Sequence, residues 1–143
     1  MQHLILTVAF LITTAVFGQT SQKKAFKSNA TIKVSVTNAL SDNGTISFAL
    51  YNEEGFLKAP LFRASAVISN RQSSVEFENI PAGNYSVVCF HDENSNGKMD
   101  FELNGMPKES YGASNNVMNF GPPQFEDSKF EVKNENVTLE IKF

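Results

Sequence analysis

In several segments between residue 31 and the C-terminus, apolar side chains return at every second position. Nowhere do they recur at i, i+3, i+4 and i+7 through three helical turns. Residues 31–40 carry Ile32, Val34 and Val36 on one face and Lys33, Ser35 and Thr37 on the other. Ile46, Phe48 and Leu50 repeat the pattern, residues 64–68 and 74–78 give two shorter runs, and Val137, Leu139, Ile141 and Phe143 close the chain. A half-buried strand needs a second sheet to cover its apolar face, so the expectation is an all-β antiparallel sandwich of about seven strands with one long loop. Asp42-Asn43-Gly44 lies between the first two runs. Asn-Gly accepts positive φ at both centres of a type I′ turn, which predicts a hairpin there.

Residues 4–17 form an uncharged apolar run of a different kind. Fourteen helical residues cover about 21 Å, short of a hydrocarbon core of about 30 Å, so a signal peptide is expected rather than a stable membrane span. Small Gly18 places cleavage after residue 18. The organisation is then a signal peptide at 1–18, an N-terminal linker at 19–30 and a β-sandwich at 31–143, in a secreted, periplasmic or cell-envelope protein. Cys89 is the single cysteine, so no internal disulfide forms, and its apolar strand 85–90 makes it a small core hydrophobe. The net charge of −3, with no basic cluster, argues against nucleic acid as a partner.

The stretch Phe77-x-x-Ile80-Pro81-x-Gly83-x-Tyr85 resembles the corner of transthyretin-like and carboxypeptidase-regulatory-like sandwiches, which implies a Tyr hydroxyl tied back near the turn. The strand that follows is apolar on both faces. It belongs in the centre of a sheet, covered by the opposing sheet on one side and by a loop or partner on the other.

After that strand comes a candidate cation loop. Counting from Asp92, side-chain oxygens stand at positions 1, 3, 5 and 9 (Asp92, Asn94, Asn96, Asp100), Gly97 at position 6 and the Lys98 carbonyl at position 7. Four carboxylates against one lysine between residues 92 and 102 repel one another unless a hard cation intervenes, and all-oxygen ligands select calcium over a soft metal. Position 12 is Leu103 where a calcium loop has Glu. The missing carboxylate falls to Glu109, or to Glu102. The alternative is an Asx-rich turn without an ion.

Phe90-His91-Asp92-Glu93-Asn94-x-Asn96-Gly97-Lys98-x-Asp100, Gly105-x-Pro107-Lys108-Glu109-x-Tyr111-Gly112-x-Ser114-Asn115-Asn116 and Gly121-Pro122-Pro123-x-Phe125-Glu126-Asp127 together resemble the bacterial domain-of-unknown-function family 2141. The resemblance spans about residues 31–143. It implies exported bacterial proteins with an immunoglobulin-like or transthyretin-like sandwich, and brings no catalytic residues with it.

The reading is an exported binding or structural module of the cell envelope, not an enzyme, with an envelope protein or a glycan as partner. Two alternatives use His91. A hydrolase would pair it with Asp92 and with Ser110 or Ser114, although neighbours on a strand point to opposite faces. A copper-handling sandwich would join it to Met99, Met106 and Met118, which are also ordinary gap-fillers beneath a loop. The segment 92–127 exceeds the length of a passive connection and carries Tyr111, Phe120 and Phe125 as candidate surface or cover.

Overall fold

The computed structural model describes residues 29–118 and 120–143. The signal peptide, its cleavage point and residues 19–28 of the linker lie outside the described residues. Among the described residues eight strands follow one another: β1 (Ala30–Val36), β2 (Thr45–Tyr51), β3 (Phe62–Val67), β4 (Ser73–Ile80), β5 (Gly83–Asp92), β6 (Tyr111–Ala113), β7 (Phe130–Val132) and β8 (Val137–Ile141). A 3₁₀ turn, Ser114–Asn116, and a single helical turn, α1 (Phe125–Ser128), supply the helix found among the described residues.

The strands form two sheets, one ordered β4-β1-β8 and the other β3-β2-β5-β6, with β7 pairing the first residues of β5. Alternation decides which side chains meet between them. Ile32, Val34 and Val36 of β1 face Ile46, Phe48 and Leu50 of β2 and Val87 and Cys89 of β5 in one buried cluster, joined by Phe77, Ile80, Val132 and Ile141. Burial pushes the Cys89 thiol pKa well above its ordinary value, because the thiolate would lie in an apolar interior. β5 is central, with β2 on one side and β6 paired along residues 88–90. At the corner before it, Tyr85 donates its hydroxyl to the Pro81 carbonyl at 3.0 Å.

Three features depart from the sequence reading. β1 and β2 do not pair: β1 lies between β4 and β8, β2 between β3 and β5, so residues 37–44 arch from one sheet to the other. Tertiary partners override the Asn-Gly hairpin signal here. The Asn43 carbonyl accepts His91 Nε2–H at 2.7 Å, and Gly44, at φ +70°, packs so closely on β5 that a Cβ would overlap the Asp92 carbonyl oxygen. A hairpin turn with two positive φ values sits instead at Asn70 and Arg71, where Ser69 and Gln72 exchange backbone bonds of 2.9 and 3.0 Å. Asp42 holds that turn, accepting Arg71 N–H at 2.7 Å and Asn70 N–H at 3.0 Å.

Second, the sandwich is not wholly antiparallel, since β1 and β8 run parallel from Ile32–Val137 to Val36–Ile141. Third, the long segment 92–127 is not one open loop. Its second half returns as β6, the 3₁₀ turn and α1, and three buried serines fasten it to β5. Ser114 Oγ accepts Val87 N–H at 3.1 Å and donates to the Ser128 carbonyl, and Ser128 Oγ meets Ser86 Oγ at 2.7 Å.

Candidate metal centre

The loop that remains, residues 93–110, begins where β5 ends. Asp92 is still in the ladder, opposite Thr45, and only 2% of its surface is exposed. Its Oδ1 accepts Asn96 N–H at 3.0 Å and its Oδ2 accepts Gly97 N–H at 2.8 Å, so one carboxylate curls the next five residues round itself. Gly97, at φ +78°, and Ser95, at φ +55°, take the left-handed conformations that this curl requires. Asn94 Oδ1 accepts Asn96 N–H at 3.1 Å and Asn96 Oδ1 accepts Lys98 N–H at 3.0 Å, two successive Asx turns.

Asp100 then closes the curl. Its Oδ2 accepts Asn94 Nδ2–H at 2.7 Å and Asn96 Nδ2–H at 2.9 Å. A short hairpin follows: Phe101 bridges Pro107, Glu102 N–H donates to the Met106 carbonyl at 2.8 Å, and Lys108 N–H donates to the Asp100 carbonyl at 2.9 Å. The hairpin returns the chain to its start, so Glu109, which is buried, accepts Asp100 N–H on Oε2 at 3.1 Å. Glu102 remains exposed beside the turn of the hairpin.

Asp92, Asn94, Asn96, Asp100 and Glu109 are thereby linked in one hydrogen-bonded chain, with Lys98 joined through its backbone N–H. Among the described residues, no three His, Cys, Asp or Glu side chains gather round one point as a ready cation site. The carboxylates are connected in series through asparagine amides and backbone N–H groups. No Lys or Arg among the described residues lies at ion-pair distance from Asp92, Asp100 or Glu109. A hard cation entering here would take the oxygens of Asp100 from the two Asn amides and turn the Asn oxygens inward, a rearrangement of side chains on a backbone already curled.

His91 sits on the opposite face of β5 from the loop's apolar side chains and is 1% exposed. Its Nε2–H is spent on the Asn43 carbonyl. Nδ1 has no hydrogen-bond partner, and Glu93 Oε1 stands 3.8 Å away. Ser114, the hydrolase candidate, is buried and committed to Val87 and Ser128. Ser110 contributes its carbonyl to His91 N–H at 2.8 Å. The copper set is likewise dispersed: Met99 and Met106 line a groove on the outer sheet face, and Met118 is 98% exposed beside a separate recess. Tyr111 donates its hydroxyl to the Gly121 carbonyl at 3.1 Å, while Phe125 packs edge-on against Phe56, which packs on Tyr51.

A model of the family described as "Uncharacterized protein conserved in bacteria (DUF2141)" matches residues 34–140, a span that holds every residue of this loop and the Tyr85 corner. The chain belongs to that family. The DUF2141 match begins inside β1 and ends inside β8, so it covers both sheets of the sandwich. No curated protein matches the chain in sequence. One solved structure, described as a pilus-presented adhesin, Spy0125 (Cpa), is 10% identical with a TM-score of 0.30, over 83% of this chain and 27% of the adhesin. The chain thus spans about a quarter of that structure. Among the described residues no helix is long and apolar enough to cross a membrane.

Proposed function

We infer that this DUF2141 chain is an exported, non-catalytic binding or structural module of the bacterial cell envelope, with a loop ordered by a divalent cation, calcium by the chemistry of its ligands. The observation that carries the reading is Asp92: a nearly buried carboxylate, bonded only by backbone N–H groups, at the head of a loop with surplus negative charge and no Lys or Arg at ion-pair distance from it. Asp92, Asn94, Asn96 and Asp100 supply side-chain oxygens, Lys98 its carbonyl, and Glu109 the last carboxylate. The Glu109 assignment is supported over Glu102 by burial and by its bond to Asp100 N–H. A cation held there fixes the outward surface of the loop, which an envelope protein or glycan would meet.

Thermal melts in calcium and in chelator test the cation. Extracellular calcium modules bind in the range of about 10⁻⁴ to 10⁻³ M, and the Leu at position 12 puts this loop in that weak class. At ~1 mM calcium and a dissociation constant of ~0.1 mM, linkage adds about 1.4 kcal/mol, a rise of several degrees in Tm. Equal midpoints in the two buffers would leave the loop an Asx turn and defeat the reading. Export is tested separately: the intact mass of protein recovered from periplasm or medium should lack residues 1–18.

A further inference from the structure

Among the described residues no second sheet covers the outer face of the five-stranded sheet. Val88 and Phe90 point there from β5, since Val87 and Cys89 point into the core, and Tyr111 lies beside Phe90 in the ladder. The cation loop rises next to this face. Met99, Phe101 and Met106 form a wall, and between wall and sheet runs a groove of about 680 Å³, within the range of small-molecule sites.

The chemistry of its lining is one-sided. Among the residues that line it there is no Asp, Glu, Asn, Gln, Ser, Thr or His; its side-chain hydroxyls are those of Tyr51 and Tyr111, and the second is already spent on Gly121. The charged groups present are two cations, Arg63 from β3 and Lys98 from the loop. Elsewhere among the described residues Lys33, Lys129, Lys133 and Lys142 each pair with a glutamate, while Lys58, Arg71 and Lys108 pair with no carboxylate. Arg63 and Lys98 pair with no carboxylate among the described residues, in a chain of net charge −3. Arg63 stands opposite Ala49 in the β2–β3 ladder, two residues from Tyr51; burial raises the Tyr51 pKa and the Arg63 charge pulls the other way.

We propose that this groove binds a small amphiphile with an apolar body and one carboxylate, a monocarboxylate of fatty-acid type. The apolar floor and wall take the body, and the positive charge that Arg63 and Lys98 give the lining attracts the head. A glycan would leave most of its hydroxyls without partners in such a lining. An extended peptide is excluded on similar grounds: it brings an N–H and a C=O at every residue, while the floor is a sheet face whose central strand β5 is already paired with β2 and β6.

The test titrates octanoate, 1-octanol and octyltrimethylammonium into ¹⁵N-labelled protein in chelating buffer, so that its outcome is independent of the cation reading. Octanoate should move the amides of Val88, Phe90, Lys98, Met99 and Tyr111 saturably and bind about tenfold more tightly than octanol, with octyltrimethylammonium weakest. Arg63→Gln and Lys98→Gln, both at exposed positions, should each weaken octanoate by up to about fivefold, the range of an exposed ion pair, and leave octanol unchanged. Met106→Glu should weaken both. Equal affinity for the three probes, saturable shifts confined to other residues, or no shift at millimolar octanoate would overturn the proposal. So would tight binding of an apolar pentapeptide without binding of octanoate, which would make the groove a peptide site.

Discussion

Two aspartates at the same end of the molecule do the same local work with different consequences. Asp42 and Asp92 each accept two consecutive backbone N–H groups, one per carboxylate oxygen, and each thereby holds a turn with left-handed residues. Asp42 reaches 28 residues along the chain to a turn whose Arg71 guanidinium bonds the Leu40 carbonyl at 3.1 Å, and no second carboxylate enters the bonds of that clamp. Asp92 reaches only four and five residues, into a loop that adds Asp100, Glu102 and Glu109 and offers no paired cation. The first clamp is complete as it stands. The second holds its shape with charge left over, and that surplus, rather than the turn geometry, separates a candidate cation loop from a structural turn.

The strongest way to break the comparison is at the residue where the two clamps touch. Gly44 lies against the Asp92 carbonyl at φ +70°, so Gly44→Ala adds both a backbone overlap and a strained φ. It should cost about 3 kcal/mol or more, read as a large drop in urea midpoint, and should loosen the arch and the loop together. A variant as stable as the parent would show that the arch does not brace the loop.

Next in size is Asp92→Ala, which leaves the Asn96 and Gly97 N–H groups without their acceptor in a mostly buried setting. The expected loss is about 2–4 kcal/mol, together with the whole calcium-induced rise in Tm. Asp92→Asn separates the two effects, since it keeps an acceptor oxygen and removes the charge. Its calcium response should vanish with a smaller loss of stability. A retained response in both variants would place the cation elsewhere.

How far these features can be read without coordinates follows from how local their causes are. The core faces of β1, β2 and β8 were legible because alternation is a property of each strand alone. The curl of Asp92, Asn94 and Asn96 was legible for the same reason, being written in positions one, three and five of a single turn. The arch was not, since Asn43-Gly44 carries the hairpin signature and only His91, 48 residues on, captures its carbonyl. The true positive-φ turn was hidden because Arg71 is no signal for that conformation, and the carboxylate that sustains it is remote. Glu109 was half legible: Asn104-Gly105 announces a turn, but the hairpin's bonds decide that Glu109, not Glu102, comes back to Asp100. The groove was foreshadowed only by the two-sided apolar character of β5, because its cations come from β3 and from the loop.

Asp42→Ala sharpens the comparison from the other side. It unhooks Asn70 and Arg71 N–H from an exposed carboxylate, where water replaces much of what is lost, so about 1 kcal/mol is expected from denaturant melts. The calcium response should be untouched, because the surplus charge of the other loop is unchanged. Loss of that response would mean that the arch transmits the clamp at Asp42 to the cation loop, and the two regions would have to be treated as one.

The smallest effect belongs to Glu102→Ala set against Glu109→Gln. Glu102 is exposed and its side chain enters none of the loop's bonds described above, so its removal should leave the melting midpoint and the calcium-induced rise as they were. Glu109→Gln keeps an oxygen for Asp100 N–H and so keeps the fold of the hairpin, but it takes one negative charge from the candidate site. Its midpoint in chelator should match the parent, while its rise in calcium should shrink. The pair therefore separates ligand from bystander with the two variants folded alike: a reduced calcium response in Glu102→Ala and a full one in Glu109→Gln would move the last ligand to position 102 and remove the reason for the burial of Glu109 that the cation reading supplies.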